Sequence, residues 1–238
     1  MRYAKLGKIR WTSQRDVARM WERALRRAGV PVAYTAGFSP RPRLSFGLAL
    51  PTGCESLAEY LDIDLAASLD PGEVTTRVET ELPPGLRITA SAPLQAGAAS
   101  LQQDVTSCAW AIEVPGADRR SLEHLTGAAL AAPALPVRVS RKGREEDADL
   151  RPAIRELRVR ATTNTNTNTT TTTTQHCVLE AEVATRPRGV RPSELCRALG
   201  IELARSCRTH QWIEKGGSRT EPLSVDAALN LLAEERAS

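Results

Sequence analysis

Residues 13–46 read SQRDVARMWERALRRAGVPVAYTAGFSPRPRLSF, and they join an amphipathic helix to a loop rich in Gly, Pro and Arg. Ser13 followed by Asp16 is typical of a capping box, in which the serine side chain caps the first turn of a helix. After it, apolar residues recur at the spacing of one helix face: Val17, Met20, Trp21, Ala24, Leu25 and Ala28. Gly29 ends the pattern. We therefore predict a helix over residues 14–28.

The segments on both sides of this helix complete a recognisable order of elements. Before it, residues 2–12 predict a short strand with a kink at Gly7, because Ile9 and Trp11 alternate with basic residues. After it, we expect apolar segments on both sides of the loop, then a strand, a helix and a last strand: residues 32–34, 44–46, 59–65, 70–82 and 86–90. The order β-α-β-β-α-β is the ferredoxin-like arrangement.

The same order recurs after a small, polar segment at residues 93–104, which we interpret as a linker. We expect further strands at 108–114, 137–139, 154–159, 178–183 and 201–207, and helices at 119–131 and 192–199. The prediction is an α+β protein of two ferredoxin-like halves in tandem, residues 1–95 and 105–210. Residues 211–238 form a tail, which we expect to begin with a loop. Its apolar residues over 225–235 have helical spacing, which predicts a C-terminal helix.

Residues 162–174 contain only Thr and Asn. Such a tract cannot bury enough apolar surface to offset the entropy of ordering it, so we expect a flexible loop between two strands. The alternative is that the β propensity of Thr extends the two strands as a longer hairpin.

The composition is that of an ordinary soluble protein. The chain has 238 residues, with 32 Lys plus Arg against 28 Asp plus Glu and a formal charge of +4. No apolar run approaches the ~20 residues that span a bilayer, and the chain opens without an apolar leader segment. We expect a cytoplasmic protein without membrane association.

Residues that bind metals or form disulfides are few and scattered. The five cysteines form no CxxC pair, and the three histidines are equally dispersed. A disulfide framework or a zinc site needs closer, paired spacing, and the chain has no triplet of cysteines for an iron–sulfur cluster. We therefore expect neither a metal nor a cofactor in this chain.

Arginine dominates the basic residues, since only four of the 32 are Lys. Arg binds phosphates bidentately and stacks on bases. A GC-rich genome also favours Arg, so the number of arginines alone does not indicate RNA binding. Their positions in the sequence carry the argument instead. The helix over 14–28 carries Arg15, Arg19, Arg23 and Arg26 opposite its apolar stripe. The loop carries Arg41 and Arg43 among Tyr34, Phe38 and Phe46, and Gly37, Pro40 and Pro42 shape it.

Two interpretations of these residues stay open. In the first, the arginines neutralise RNA phosphates and exposed Tyr34 or Phe38 stacks on unpaired bases. In the second, Phe38 and Phe46 are buried and the arginines form a solvated face beside Asp16 and Glu22.

Two smaller groups are weaker candidates. Glu59 and Asp62 lie on a predicted strand and are candidate carboxylates that could bind a metal or pair with Arg41, although such residues most often only solvate a sheet face. Acidic residues interleave with the basic cluster around Lys142, which favours a turn with salt bridges there.

Three segments within about residues 5–65 follow one another in a characteristic order: Ala24 to Pro31, Gly37 to Arg43 and Glu59 to Asp62. This region resembles the radical SAM-linked proteins, a family of unassigned biochemical activity. A weaker resemblance covers Lys142 to Arg144 and Asp149 to Pro152. The chain departs from the family pattern at Gln14 and Arg41, where the pattern has His. A metal or acid–base role of those histidines therefore does not transfer.

The resemblance implies a protein encoded beside, or fused behind, a radical SAM enzyme that has an iron–sulfur cluster, S-adenosylmethionine and a cobalamin-type domain. We expect this chain to be a non-catalytic accessory that recognises the substrate, RNA, for that partner. One alternative is a metal-independent endoribonuclease of the paired ferredoxin-like type, whose base would be His124, His176 or His210. The other is a scaffold whose arginine face docks on a protein.

Overall fold

The computed structural model describes residues 1–94, 97–98, 100–141, 143–161 and 176–223. The chain divides into two units, one formed by Met1–Val105 with the chain from Ile213 onward, and one by Thr106–Trp212. The predictions for the Thr/Asn tract at 162–174, for Lys142 and for a C-terminal helix over 225–235 lie outside the described residues.

Helices and strands follow one another through both units, which confirms the α+β class. The first unit contains β1 Arg2–Lys5, α1 Gln14–Arg27, β2 Leu44–Phe46, β3 Glu55–Ile63, α2 Pro71–Glu79, β4 Leu86–Ala90 and the short α3 Leu101–Asp104. The second contains β5 Ser107–Pro115, α4 Arg119–Ala131, β6 Pro136–Arg141, β7 Arg144–Asp149, β8 Ile154–Ala161, β9 His176–Ala184, α5 Pro192–Leu199 and β10 Arg205–Lys215. The end of β10 pairs with β11 Ser218–Thr220 in the first unit.

Antiparallel pairing builds a sheet in each unit. In the first, β1 pairs with β3 and β4, and β2 pairs with β3, which gives the order β4-β1-β3-β2. In the second, β5 pairs with β10 and β9, and β8 pairs with β9, which gives the order β10-β5-β9-β8. The strands β6 and β7 form a separate hairpin.

The predicted helix over 14–28 is confirmed as α1, together with its cap. The Ser13 Oγ accepts a hydrogen bond from the Asp16 N–H at 3.2 Å and donates one to the Asp16 carboxylate at 2.7 Å. The apolar stripe is buried, and the ring of Trp21 meets that of Tyr3 edge-on at 5.1 Å. Burial of this stripe, at about 25 cal/mol per Å² of apolar area, is what holds α1 against the sheet.

Four segments of the chain differ from their predicted structure. Gly7–Trp11 forms a 3-10 turn instead of continuing the first strand, because Gly7 takes a φ of +67° that bends the chain away from β1. The linker at 93–104 contains α3. The last strand of the second half runs from Arg205 to Lys215 and not over 201–207, and part of the tail expected as a loop pairs with it as β11.

The fourth difference is β7, which replaces the turn expected around residues 144–149. Its sequence is strongly acidic, yet it pairs residue by residue with β6, with Arg138 opposite Asp147. Arg138 lies 3.3 Å from the Asp147 carboxylate and 3.8 Å from that of Glu145. Cross-strand charge pairing therefore stabilises a strand that the composition alone disfavours.

Candidate nucleic-acid interface

The loop between α1 and β2 is held in a defined shape by its own backbone. We call residues 33–43 the arginine loop. The Arg43 N–H donates to the Ala33 carbonyl at 2.8 Å, and the Thr35 N–H donates to the Arg41 carbonyl at 2.9 Å. The Arg41 N–H donates in turn to the Thr35 hydroxyl at 3.0 Å. The loop is therefore a narrow hairpin with paired sides and not the irregular connection that its Gly and Pro content predicts.

The end of β3 anchors this hairpin. The Ala33 N–H donates to the Asp64 carbonyl at 2.7 Å, and the Asp64 N–H donates to the Arg43 carbonyl at 3.1 Å. Both sides of the loop are thus joined to one strand end. The chain reverses at the tip, where Gly37 has a φ of +121°, a conformation that L side chains rarely adopt.

The aromatic residues of the arginine loop point away from the core. Phe38 is fully exposed, with a relative exposure of 110%, and Tyr34 is 56% exposed. Phe46, after the loop, is half-buried and packs against the core of the first unit. The exposure of Phe38 contradicts the burial that the second interpretation requires, whereas Phe46 is partly buried.

The two arginines of the loop differ in their surroundings. The Arg43 guanidinium lies 2.7 Å from the Asp64 carboxylate, so its charge is partly neutralised. The Arg41 side chain is exposed and has no hydrogen-bond or ion-pair partner among the residues that the structure describes. Arg41 is therefore the more available cation of the pair.

The arginines of α1 form a second basic surface. Arg15 and Arg23 are exposed and, within the described part of the chain, have no ion-pair partner, whereas Arg19 lies 3.5 Å from the Asp16 carboxylate. No hydrogen bond or ion pair between described residues joins these arginines to the arginine loop. The structure thus places the predicted basic residues on two separate features.

Trp11 is an exposed aromatic residue that the alternating pattern over residues 2–12 did not identify as a surface residue. Its side chain is 65% exposed, and the Arg10 guanidinium lies 5.2 Å from the ring centroid. The ring packs over Gly53, where a Cβ atom would come within 2.9 Å of it. A Trp between the polar residues Arg10 and Thr12 is the signal that could have marked it as a surface residue.

The candidate carboxylates do not share one surface. Glu59 is buried, with 3% exposure, whereas Asp62 is half-buried and lines a cavity of about 940 Å³ together with Asp64. Burial raises the pKa of Asp62, the Met1 ammonium partly offsets this rise, and the neighbouring Asp64 carboxylate adds to it. Arg43 also lines this cavity. Asp62 and Asp64 thus both face the cavity, although β3 ends at Ile63 and not at Leu65 as the sequence predicts.

The histidine and cysteine side chains that the structure describes are not grouped into a metal site, and the side chain of His176 lies outside the described residues. His124 is exposed on α4, and His210 stacks on Trp212 with ring centroids 5.0 Å apart. All five cysteines are free and buried. Among the described residues, no three His, Cys, Asp or Glu side chains are grouped so that they could hold a metal ion.

None of the helices within the described ranges is both long enough and apolar enough to cross a membrane.

The fold and this surface define an α+β protein with a hydrogen-bonded, arginine-bearing aromatic loop. The chain belongs to the family described as "Uncharacterized protein conserved in bacteria (DUF2344)", whose model matches residues 1–191. A search of curated proteins found no match.

Among solved structures, the chain is similar to one from the "Crystal Structure of a Cbf5-Nop10-Gar1 Complex". The identity is 7% and the TM-score is 0.44, over 88% of this chain and 48% of that chain. This chain therefore spans about half the length of that protein.

Proposed function

We propose that this protein recognises RNA through the arginine loop, as a non-catalytic accessory to a partner radical SAM enzyme in the cytoplasm. The observation that carries the proposal is the full exposure of Phe38 at the tip of a hydrogen-bonded hairpin that also presents Arg41. The function requires single-stranded RNA, because only unpaired bases offer a free face to an aromatic ring.

The chemistry of the loop suits a single strand. Stacking of a base on an aromatic side chain contributes about 1–3 kcal/mol and tolerates any base. Arg41 adds a charge that can neutralise a phosphate, and the unpaired Arg15 and Arg23 extend the basic surface. The paired sides of the hairpin hold Phe38 and Arg41 before RNA arrives, so less entropy is lost on binding than with a floppy loop.

The radical SAM partner rests on the resemblance of residues 5–65. In this arrangement, the partner supplies the iron–sulfur cluster, S-adenosylmethionine and a cobalamin-type domain, and this chain positions the RNA. The reaction would take place on the partner, so we assign no catalytic residue to this chain.

We also propose that both units have the ferredoxin-like arrangement, the second with the β6–β7 hairpin inserted. The support is that the first unit has the order β-α-β-β-α-β, with sheet order 4-1-3-2. Without β6 and β7, the second unit repeats both orders.

The proposal is tested by the salt dependence of RNA binding. Fluorescence anisotropy of a labelled 12-nucleotide single-stranded RNA is measured for the wild-type chain and for Arg41→Ala over a range of salt. We expect Arg41→Ala to weaken binding severalfold and to reduce the slope of log K against log salt by roughly 0.7, the value for one phosphate contact on a single strand. Arg43→Ala should act less, because Asp64 already pairs with Arg43.

The matched control is Arg87→Ala, which removes an exposed arginine on β4 of the same unit. It should leave affinity and slope unchanged. Equal effects of Arg41→Ala and Arg87→Ala would reject the arginine loop as the binding site. RNA cleavage by the wild-type chain in the presence of a chelator would favour the endoribonuclease. Nuclease-resistant copurification with a radical SAM protein, without RNA, would favour the scaffold.

A further inference from the structure

We propose that the cavity beside the arginine loop is a binding site for guanine, so that the RNA recognised by this protein carries an unpaired G. The inference rests on the proposed function and adds base specificity to it. It depends on three observations: the position of the cavity, the state of the Asp62 carboxylate, and the hydrogen-bonding pattern of the four bases.

The cavity lies at the base of the arginine loop. Ala33 and Arg43, the two ends of the loop, both contribute to its wall. Its volume of about 940 Å³ is in the range of small-molecule sites and leaves ample room for one nucleobase. A strand held by Phe38 and Arg41 can therefore deliver a neighbouring, unstacked base to this cavity.

The walls of the cavity combine apolar side chains with polar ones, which come from Arg43, Tyr60, Asp62, Asp64, Ser68 and Ser91. Leu65, Leu69, Val74 and Leu94 line it and offer apolar contact to the faces of a flat ring. In a ligand site, apolar contact holds the ring and the polar groups give specificity.

Asp62 is a carboxylate of this cavity that the Met1 ammonium attracts electrostatically but that accepts no hydrogen bond from the described residues. Its carboxylate is half-buried and has no hydrogen-bond or ion-pair partner within residues 1–94, 97–98, 100–141, 143–161 and 176–223. Asp64 is instead paired with Arg43 at 2.7 Å, and the Met1 amino group on the same wall donates to the Leu61 carbonyl at 2.8 Å. A partly desolvated carboxylate without a donor is costly unless a ligand supplies one.

The chemistry of a carboxylate selects one base. An ionised carboxylate is acceptor-only and takes two parallel hydrogen bonds at its two oxygens. Guanine alone presents two adjacent donors, N1–H and N2–H, on its Watson–Crick edge. Adenine and cytosine each present an amino group beside a ring acceptor, and uracil presents one N–H between two carbonyls that would repel Asp62. Asp62 therefore discriminates for guanine and against the other three bases.

The test uses three labelled RNAs: a 12-nucleotide oligouridine with one central G, A or inosine. The wild-type chain should bind the G strand about tenfold more tightly than the A strand, which is the discrimination of one bidentate contact. Inosine lacks the N2 amino group, so its affinity should lie between the two. This comparison needs no variant, so it remains valid even if a substitution in the cavity disturbs folding.

Asp62→Asn should abolish the preference for G, while the salt slope of binding stays that of the wild-type chain. The matched control is Glu22→Gln, which removes a negative charge from the exposed face of α1 and should keep the preference. Equal wild-type affinity for the G, A and inosine strands would overturn the guanine site and leave RNA recognition intact. Failure of the wild-type chain to bind any of the three strands would reject the proposed function itself.

Discussion

Phe38 is the residue whose position the stability of the fold does not explain. Burying a Phe side chain stabilises a protein by about 1.5–3 kcal/mol. Phe38 does not contribute this stabilisation, because its side chain is fully exposed to solvent. The hydrogen bonds across the arginine loop hold it there without any packing partner in the core. A side chain in this position is suited to contacts outside its own fold.

We expect Phe38→Ala to weaken binding of single-stranded RNA about tenfold, because one stacking contact is lost. The melting temperature should stay unchanged, because the side chain packs against nothing. Phe38→Tyr should keep the wild-type affinity, since the ring face remains. Fluorescence anisotropy and thermal melts measure the two effects separately.

Phe38→Leu is the control that separates stacking from general hydrophobic contact. It keeps an apolar side chain but removes the ring, so it should behave as Phe38→Ala does. Wild-type affinity in Phe38→Leu would mean that an apolar contact suffices, and a lower melting temperature in Phe38→Ala would mean that Phe38 packs in the fold after all.

Single residues were predictable from the sequence only where the cause of their position is local. The Gly and Pro residues around Phe38 mark a turn by themselves, and the Ser13 cap needs only Asp16. Trp11 and Glu59 were not predictable, because exposure depends on residues distant in the sequence. Trp11 lies on Gly53, and Glu59 lies on a strand that is buried along most of its length.

At the scale of elements, the turn before β3 supports the 3-10 turn that carries Trp11. Gly53 has a φ of +90°, and a Cβ there would meet the Trp11 ring at 2.9 Å. Its N–H also donates to the Arg10 carbonyl at 2.8 Å. The two turns are thus joined by backbone hydrogen bonding and ring packing, which only glycine at position 53 permits.

We expect Gly53→Ala to destabilise the protein by more than about 1 kcal/mol, because the backbone is strained and the Trp11 ring must move. Gly127→Ala is the matched control. Gly127 lies inside α4, and a Cβ there meets nothing within 4 Å. Ala at this position should stabilise by roughly 0.5–1 kcal/mol, since Gly is a poor helix former. Urea unfolding monitored by circular dichroism measures both, and the same sign for both variants would contradict the assignment.

Some helices and strands can be predicted from their own residues, whereas others form only because a second segment pairs with them. The helices α4 and α5 match the predicted ranges 119–131 and 192–199, because caps and periodicity are local signals. The strand β7 was missed because its acidic residues favour a strand only when β6 supplies Arg138 across the hairpin. Strand pairing is a property of two segments, and the pattern of one segment does not contain it.

At the scale of the whole molecule, the sequence predicts the fold class more clearly than it predicts the function. The α+β class follows from periodicity in both units, whereas the cavity beside the arginine loop could not be foreseen. That cavity needs Asp62 of β3, the start of α2 and the segment after β4 to lie together, which is a consequence of tertiary packing. The position of such a cavity is therefore not predictable from the pattern of any one segment.

The cysteines give the whole molecule a dependence on pH whose sign can be worked out. All five are free and buried. Burial raises the pKa of the Cys196 thiol to about 12 and also raises the pKa of Cys177, from a usual value of 9.0. The folded protein therefore keeps these protons at a pH where the unfolded chain releases them. The stability that this provides is full below pH 9 and is lost as the pH rises toward 12.

We expect the free energy of unfolding to decrease as the pH rises above 9. Tyr60, whose pKa burial also raises from 10.0, adds to this decrease near pH 10, whereas Lys5, whose pKa burial lowers from 10.5, opposes it. Urea unfolding at intervals from pH 7 to 10 measures the decrease, and Cys196→Ala should make it smaller. An aromatic disulfide reagent at pH 8 gives an independent check, since buried thiols with raised pKa values react slowly. All five thiols should react together once urea unfolds the chain, and fast reaction of the native protein would contradict the burial of the cysteines.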